Sequence, residues 1–381
     1  MKPCPYALLL IFIPGSAYIP TTLIQKDKFK KRKYEKMKKA LSIVLVIVMI
    51  AALCGNGKAM DASGFELELA GTTGYSIIDM NLRAGDSTSS AKLGTIPAGE
   101  AFQIVAEGSS YFQVETSIGS GWLSKTYTMV NLPDLIPSIR YNATNSYNSL
   151  YRSCGKALDG VTGSAMYTGK TDNAKLGYAE YNMPVLYTMA KKIAAAQSSA
   201  LADGYTLVLY EGFRPKSVQD AVNLTLGNLM SSDAAVSKAI SSQGWGKSWF
   251  IAKSVSNHQK GFAIDVSLGK VNGTTEQVID GYTLSIPTDY TELEMPTAMH
   301  ELSPAAASLA YGVDSKSATA WQSVPMAGTM NDAAKLLRTY CTNAGMSPLA
   351  SEWWHFNDLE ARTQTGAKGS GLFAIEGNVS H

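Results

Sequence analysis

Ser256-Asn257-His258-Gln259-Lys260-Gly261-Phe262-Ala263-Ile264-Asp265 and Ser351-Glu352-Trp353-Trp354-His355-Phe356 are the two stretches on which the reading of this chain turns. The chain has only four histidines, and two of them stand here beside carboxylates. His258, Asp265 and His355 form a two-histidine, one-carboxylate set suited to Zn²⁺. Three protein ligands leave a fourth tetrahedral position open, as a catalytic zinc requires. The spacing from His258 to Asp265 is too long for one helical turn. It predicts a loop that carries the histidine into a strand that carries the aspartate. Gly261 and Ala263 leave room where backbone and ion must approach closely. The neighbours Phe262, Ile264, Trp353 and Trp354 make a dry setting that does not tolerate unpaired ionisable groups.

Upstream, Tyr205-Thr-Leu-Val-Leu-Tyr210 is a buried strand, and Glu211-Gly-Phe-Arg214-Pro215 follows it. A guanidinium at that strand end could clamp a developing oxyanion or a carboxylate, since arginine keeps its proton at working pH. The apolar spacing predicts helices over 178–202 and 216–242. Another runs from an N-cap at Asn331 to a stop at Gly345. Strands and helices in blocks without a regular βαβ repeat indicate an α+β domain over residues 138–362, followed by a tail, 363–381. Residues 69–130 read instead as short strands separated by glycine turns, a small all-β barrel.

The whole chain is 381 residues, 45% apolar and 17% charged, which excludes disordered and collagen-like classes. Its net charge of +2 conceals an asymmetry: residues 1–59 hold eleven basic and two acidic residues, and the remainder carries 22 basic and 29 acidic. A mildly acidic body argues against a nucleic-acid partner. Met37-Lys38-Lys39, the apolar run Ala40–Cys54 and the small residues ending at Ala59 read as a secretory signal over 37–59. The run is too short for a transmembrane helix, so the mature chain is expected to have no stable membrane span. Residues 1–36 are either upstream of the true start, Met37, or part of an extended two-part leader. The expected location is extracellular or wall-associated. Of the four cysteines, Cys154 and Cys341 would remain after processing, as a disulfide or as two free thiols.

Taken together, these elements resemble the zinc D-Ala-D-Ala dipeptidases of the vancomycin-resistance type. More broadly, they resemble the D,D-carboxypeptidases that share the Hedgehog-like fold. Asn81-Leu-Arg83, Leu93-Gly94 and Gly121-Trp122-Leu-Ser124 resemble the bacterial SH3-like domain. The resemblance implies an antiparallel sheet with flanking helices, preceded by the small barrel. It implies one Zn²⁺ on His258, Asp265 and His355, Glu352 as the catalytic acid and base, and Arg214 as the transition-state arginine. Ser256 falls on a substrate-binding position. The implied partners are peptidoglycan peptides or D-Ala-D-Ala, with the SH3-like domain on the cell wall or serving as a spacer. The alternative is a non-catalytic, zinc-containing wall-binding or signalling module. Two departures stand out. The long insert includes Gly269–Thr288, expected as a hairpin over the cleft. And where the dipeptidases carry an aspartate that holds a dipeptide's free amine, this chain has His300, with Glu301 beside it as a possible substitute. Every candidate site residue lies after residue 200, which predicts that small peptides can be processed without the barrel.

Overall fold

The computed structural model describes residues 64–375, all of them within one unit, Gly57–His381. The expected leader, with Met37 and Cys54, lies outside the described residues, as does the end of the tail with His381. Short strands build the first sheet: β1 (Thr73–Ser76), β2 (Met80–Arg83), β3 (Lys92–Ile96), β4 (Ala101–Glu107), β5 (Tyr111–Thr116), β6 (Gly119–Ser124) and β7 (Thr128–Asn131). Burial alternates along β2, while β1 and β7 are buried throughout. In β4, Phe102 and Ile104 point inward while Val105 and Glu107 face out.

After β8 (Arg140–Tyr141) come a one-turn helix, α1 (Thr144–Tyr147), and two small ladders. These are β9 (Arg152–Ser153) with β10 (Lys156–Ala157), and β11 (Thr171–Asn173) with β12 (Tyr178–Glu180). Strand β13 (Pro184–Leu186) then pairs antiparallel with β7, so the first sheet runs β13-β7-β1-β4-β5-β6-β2-β3. The N-terminal part is thus the expected all-β unit, but its pairing path is open rather than closed, and its last strand comes from the following domain.

Helix α2 (Tyr187–Ala202) leads into β14 (Tyr205–Glu211), followed by α3 (Lys216–Ser232), α4 (Ala234–Ile240) and α5 (Lys247–Phe250). A long hairpin follows, β15 (Ala263–Ile279) and β16 (Tyr282–Glu292). The chain ends through α6 (Asp332–Asn343), β17 (Ser347–Leu349), β18 (Glu352–Asn357) and α7 (Leu359–Gln364). The second sheet has the order β17-β18-β15-β14-β8, with β16 on β15; only β14–β8 is parallel. This is the expected α+β domain. Asn331 caps α6 by accepting from the Ala334 amide at 3.0 Å, and Gly345 stops the helix with φ of 87°.

The hairpin exists but does not cover the cleft. Its two-residue turn, Asp280-Gly281, takes positive φ at both positions, the geometry that suits a twisted hairpin. Ile279, Tyr282 and Ile286 at the tip pack on Leu67 and Leu176, and the Tyr282 hydroxyl donates to Glu68. The insert therefore clasps the segment before β1. The larger of two apolar clusters among the described residues runs from Phe102 and Phe112 in the first sheet through Tyr187 to Ile264 and Phe356 in the second. The Phe112 and Tyr187 rings meet edge to face at 4.9 Å.

Candidate metal and catalytic site

Register places the candidate ligands. Asp265 on β15 lies directly across from His355 on β18, and on its other side from Glu211 on β14. An irregularity between Leu209 and Glu211 breaks the β14 register at the strand end, which re-aims Glu211 and the Arg214 that follows. His258 arrives from a 3-10 turn, His258–Lys260, ended by Gly261 at φ of 70°. A Cβ at Gly261 would meet the Met129 sulfur at 2.7 Å and the Leu186 amide nitrogen at 2.8 Å. Only glycine fits there, so the first sheet bears directly on the His258 turn.

Three atoms converge. His258 Nε2 lies 3.1 Å from His355 Nδ1 and 3.3 Å from Asp265 Oδ1, and His355 Nδ1 lies 3.0 Å from Asp265 Oδ1. The far ring nitrogens are committed elsewhere. His258 Nδ1 is 2.8 Å from the Gly212 carbonyl, which can only accept, so it carries the hydrogen. His355 Nε2 is 3.0 Å from Asn357 Oδ1, itself an acceptor from Asn257 Nδ2 at 2.8 Å. With both outer nitrogens donating, two ring lone pairs and a carboxylate oxygen face one another. That is an arrangement a cation satisfies. Ligand atoms around a tetrahedral zinc with bonds of about 2.0–2.2 Å stand roughly 3.3–3.6 Å apart, close to the three separations seen. The donor set fits the metal. Burial draws the His258 ring below its ordinary pKa. Burial also pulls on His355, but the Asp265 hydrogen bond and charge outweigh it and raise that ring. Against its own burial, the histidines hold the Asp265 carboxyl well below the usual range.

Asp265 uses its other oxygen for support: Oδ2 accepts from Arg214 Nη2 at 3.0 Å and lies 3.1 Å from His300 Nε2. Arg214 is anchored by Glu211 through Nε, at 2.8 Å, and through Nη2, while Nη1 donates to Gln219 at 2.9 Å. Glu211 also accepts from Asn145 and from the hydroxyls of Tyr151 and Tyr167. Glu211, Asp265 and His300 form a second cluster of donor atoms, but the Arg214 guanidinium already occupies it as the counter-charge.

Glu352 lies at the start of β18 with Oε2 3.7 Å from His355 Nδ1. Burial pushes its carboxyl up to about 8. A cleft of about 300 Å³ opens on this centre, lined among others by Arg214, Ser256, His258, Glu352 and His355. The Ser256 hydroxyl is buried and unpartnered at its wall.

Residues 156–367 match the family described as D-Ala-D-Ala dipeptidase, more than half of the chain. The chain belongs to the D-Ala-D-Ala dipeptidase family. Residues 79–129 match the bacterial SH3 domain. No curated protein matches the chain closely.

For this peptidase, the structure brings together His258, Asp265, His355, Glu352, Arg214 and Ser256. His300 stands apart from the cleft. It is fully buried, stacked on Tyr151 at 4.4 Å and directed at Asp265, surroundings unlike those of a contact for a substrate amine. Its neighbour Glu301 is committed too, accepting from the Cys154 amide at 2.5 Å and the Gly155 amide at 3.0 Å. Cys154 and Cys341 are separate free thiols. Sequence reasoning assigned no role to Glu211, Gln219 or Asn357. Glu211 had one signal, a carboxylate closing an otherwise apolar strand three residues before Arg214.

Proposed function

We propose that this protein is a zinc peptidase that hydrolyses D-Ala-D-Ala or related D-amino-acid peptide ends of peptidoglycan. The observation that carries the reading is the convergence of three lone-pair atoms beside the buried Glu352 carboxyl, on a cleft. His258, Asp265 and His355 would hold one Zn²⁺, which when bound supplies Lewis-acid polarisation of a peptide carbonyl and acidifies a water. Glu352 accepts the proton of the attacking water and returns it to the leaving amine. Arg214 is fixed by Glu211 and Gln219. It keeps one Nη1 hydrogen uncommitted, available to charge developing on the carbonyl oxygen. Ser256 offers an unpartnered hydroxyl to the bound peptide.

The family and SH3 matches support a wall-related role; export, wall binding through the SH3 part and the D,D specificity are part of this proposal. No helix among the described residues is long and apolar enough to cross a membrane. The test is release of D-Ala from D-Ala-terminated peptides, abolished by a chelator and restored by zinc. Glu352→Gln is expected to lose about 10²–10⁴-fold in turnover. Wild-type turnover in that variant, or full activity in chelator, would refute the assignment.

A further inference from the structure

After α7 the chain continues through residues 366–375, almost all of them beyond the peptidase match. This segment supplies none of the site residues, yet it lies against the two turns that hold them. The Phe373 ring stacks on Phe213, with centroids 5.4 Å apart and planes 17° from parallel. Gly371 lies tight against Val255 and Gln259, and a Cβ there would stand 2.9 Å from Gln259 Cβ. The Ala367 carbonyl accepts from Lys260 Nζ at 2.7 Å.

Both turns need a fixed backbone. Phe213 stands between two groups that orient the candidate metal ligands. The Gly212 carbonyl accepts from His258 Nδ1 at 2.8 Å, and Arg214 Nη2 donates to Asp265 Oδ2 at 3.0 Å. In the second turn, Gln259 Oε1 accepts from the Ser256 amide at 2.6 Å, so the contact of Gly371 with Gln259 bears on the Ser256–His258 backbone. The other side of the segment rests on the SH3-like part. Gly99 abuts the Ala374 carbonyl and Phe373, Gly369 abuts the Ile77 carbonyl, and Lys368 Nζ lies 5.6 Å from the Tyr127 ring centroid. The segment is thus wedged between the first sheet and the two site-bearing turns.

Resting on the peptidase reading, we propose that residues 367–375 are a strap that holds the catalytic turns in place, with Phe373 the positioning residue for Arg214. The strap acts through Phe213. A ring stacked on Phe213 limits how far that backbone can rock, and a small rotation there swings the guanidinium of the next residue. Misplacement of a reacting group by about 1 Å costs about 10²-fold in rate, so a contact outside the cleft carries kinetic weight. Phe373 does not line the cleft, and it touches neither substrate nor metal ligand.

The experiment measures D-Ala release by the zinc-loaded full chain and its variants. Phe373→Ala, at a half-buried position, should lower kcat by about tenfold to hundredfold with a much smaller change in KM, because Arg214 serves the transition state. Phe373→Tyr should restore most of the rate. Leu372→Ala, at a neighbour 66% exposed, should behave as the unaltered chain. With Arg214→Lys already present, Phe373→Ala should cost much less than it does alone, as expected when one residue acts through the other. An equal cost in both backgrounds, or an unchanged kcat in Phe373→Ala, would overturn the proposal. Amide hydrogen exchange reads the strap without activity. The Phe213 amide donates to the Pro184 carbonyl at 3.0 Å, and in Phe373→Ala it should exchange about tenfold faster; an unchanged rate there would refute the strap. If the unaltered chain releases no D-Ala, the peptidase reading fails instead, and exchange at Phe213 decides the strap by itself.

Discussion

Asp265 is the residue on which the site turns, because its two oxygens do different work. Oδ1 meets the histidines, while Oδ2 is held by Arg214 and His300 at 3.0 and 3.1 Å. Outer partners of this kind commonly set ligand orientation, and losing one costs about 10–100-fold in metal affinity. His300→Leu, which removes the donor and keeps an apolar bulk, should weaken zinc binding by about that factor. Chelator competition measures it, and unchanged affinity in a folded variant would sever the link. His300→Asp would set a third carboxylate beside Asp265 and Glu211, so it is not a route to dipeptide specificity. The ligands were legible in the sequence because histidine and carboxylate spacing reports chemistry directly. His300 was not. Its position in the chain suggested the amine pocket, but its backbone has φ of 59°, its ring stacks on Tyr151 and its Nε2 lies 3.1 Å from Asp265 Oδ2. Those are tertiary facts that no local pattern encodes.

The decisive elements are β14, β15 and β18 and the turn that ends in Gly261. An apolar run announced β14 and the motif spacing announced β15, whereas β18 was legible only as a motif, and nothing announced their order in the sheet. Only the register puts Glu211 and His355 on either side of Asp265. The insert after Gly269 was expected as a hairpin from the long spacing between Asp265 and Glu352. Its direction was not, since that depends on Leu67 and Leu176, which are far away in the chain. Gly261 shows how closely the turn is fitted. Alanine there would adopt a left-handed conformation and press on both Met129 and the backbone of Leu186. Gly261→Ala should destabilise the fold by about 2–4 kcal/mol, from strain plus overpacking, and lower zinc affinity because His258 is displaced. Thermal unfolding with and without zinc checks both effects. Shortening Met129 would relieve only the side-chain part, because the Leu186 amide cannot retreat without breaking its 2.9 Å bond to the Gly261 carbonyl.

For the whole molecule, the two family matches read as separate modules, yet the structure joins them. Strand β13 of the peptidase completes the sheet of the SH3-like part. Phe112 packs on Tyr187, and Met129 abuts the His258 turn. The barrel was expected to be dispensable because every candidate site residue follows residue 200. The pairing of β13 and the contact of Met129 with the His258 turn bear on that expectation, because they give the SH3-like part a supporting role as well. The SH3-like part is a wall of the catalytic fold, which composition and turn residues do not reveal. All of this converges on one claim, that His258, Asp265 and His355 hold a single cation. A calorimetric zinc titration of the full chain tests it most directly. We expect one tight site per chain, lost in His258→Ala and in His355→Ala and retained in Glu352→Gln. Tight binding that survives both histidine substitutions in folded protein, or a stoichiometry of two, would contradict the account.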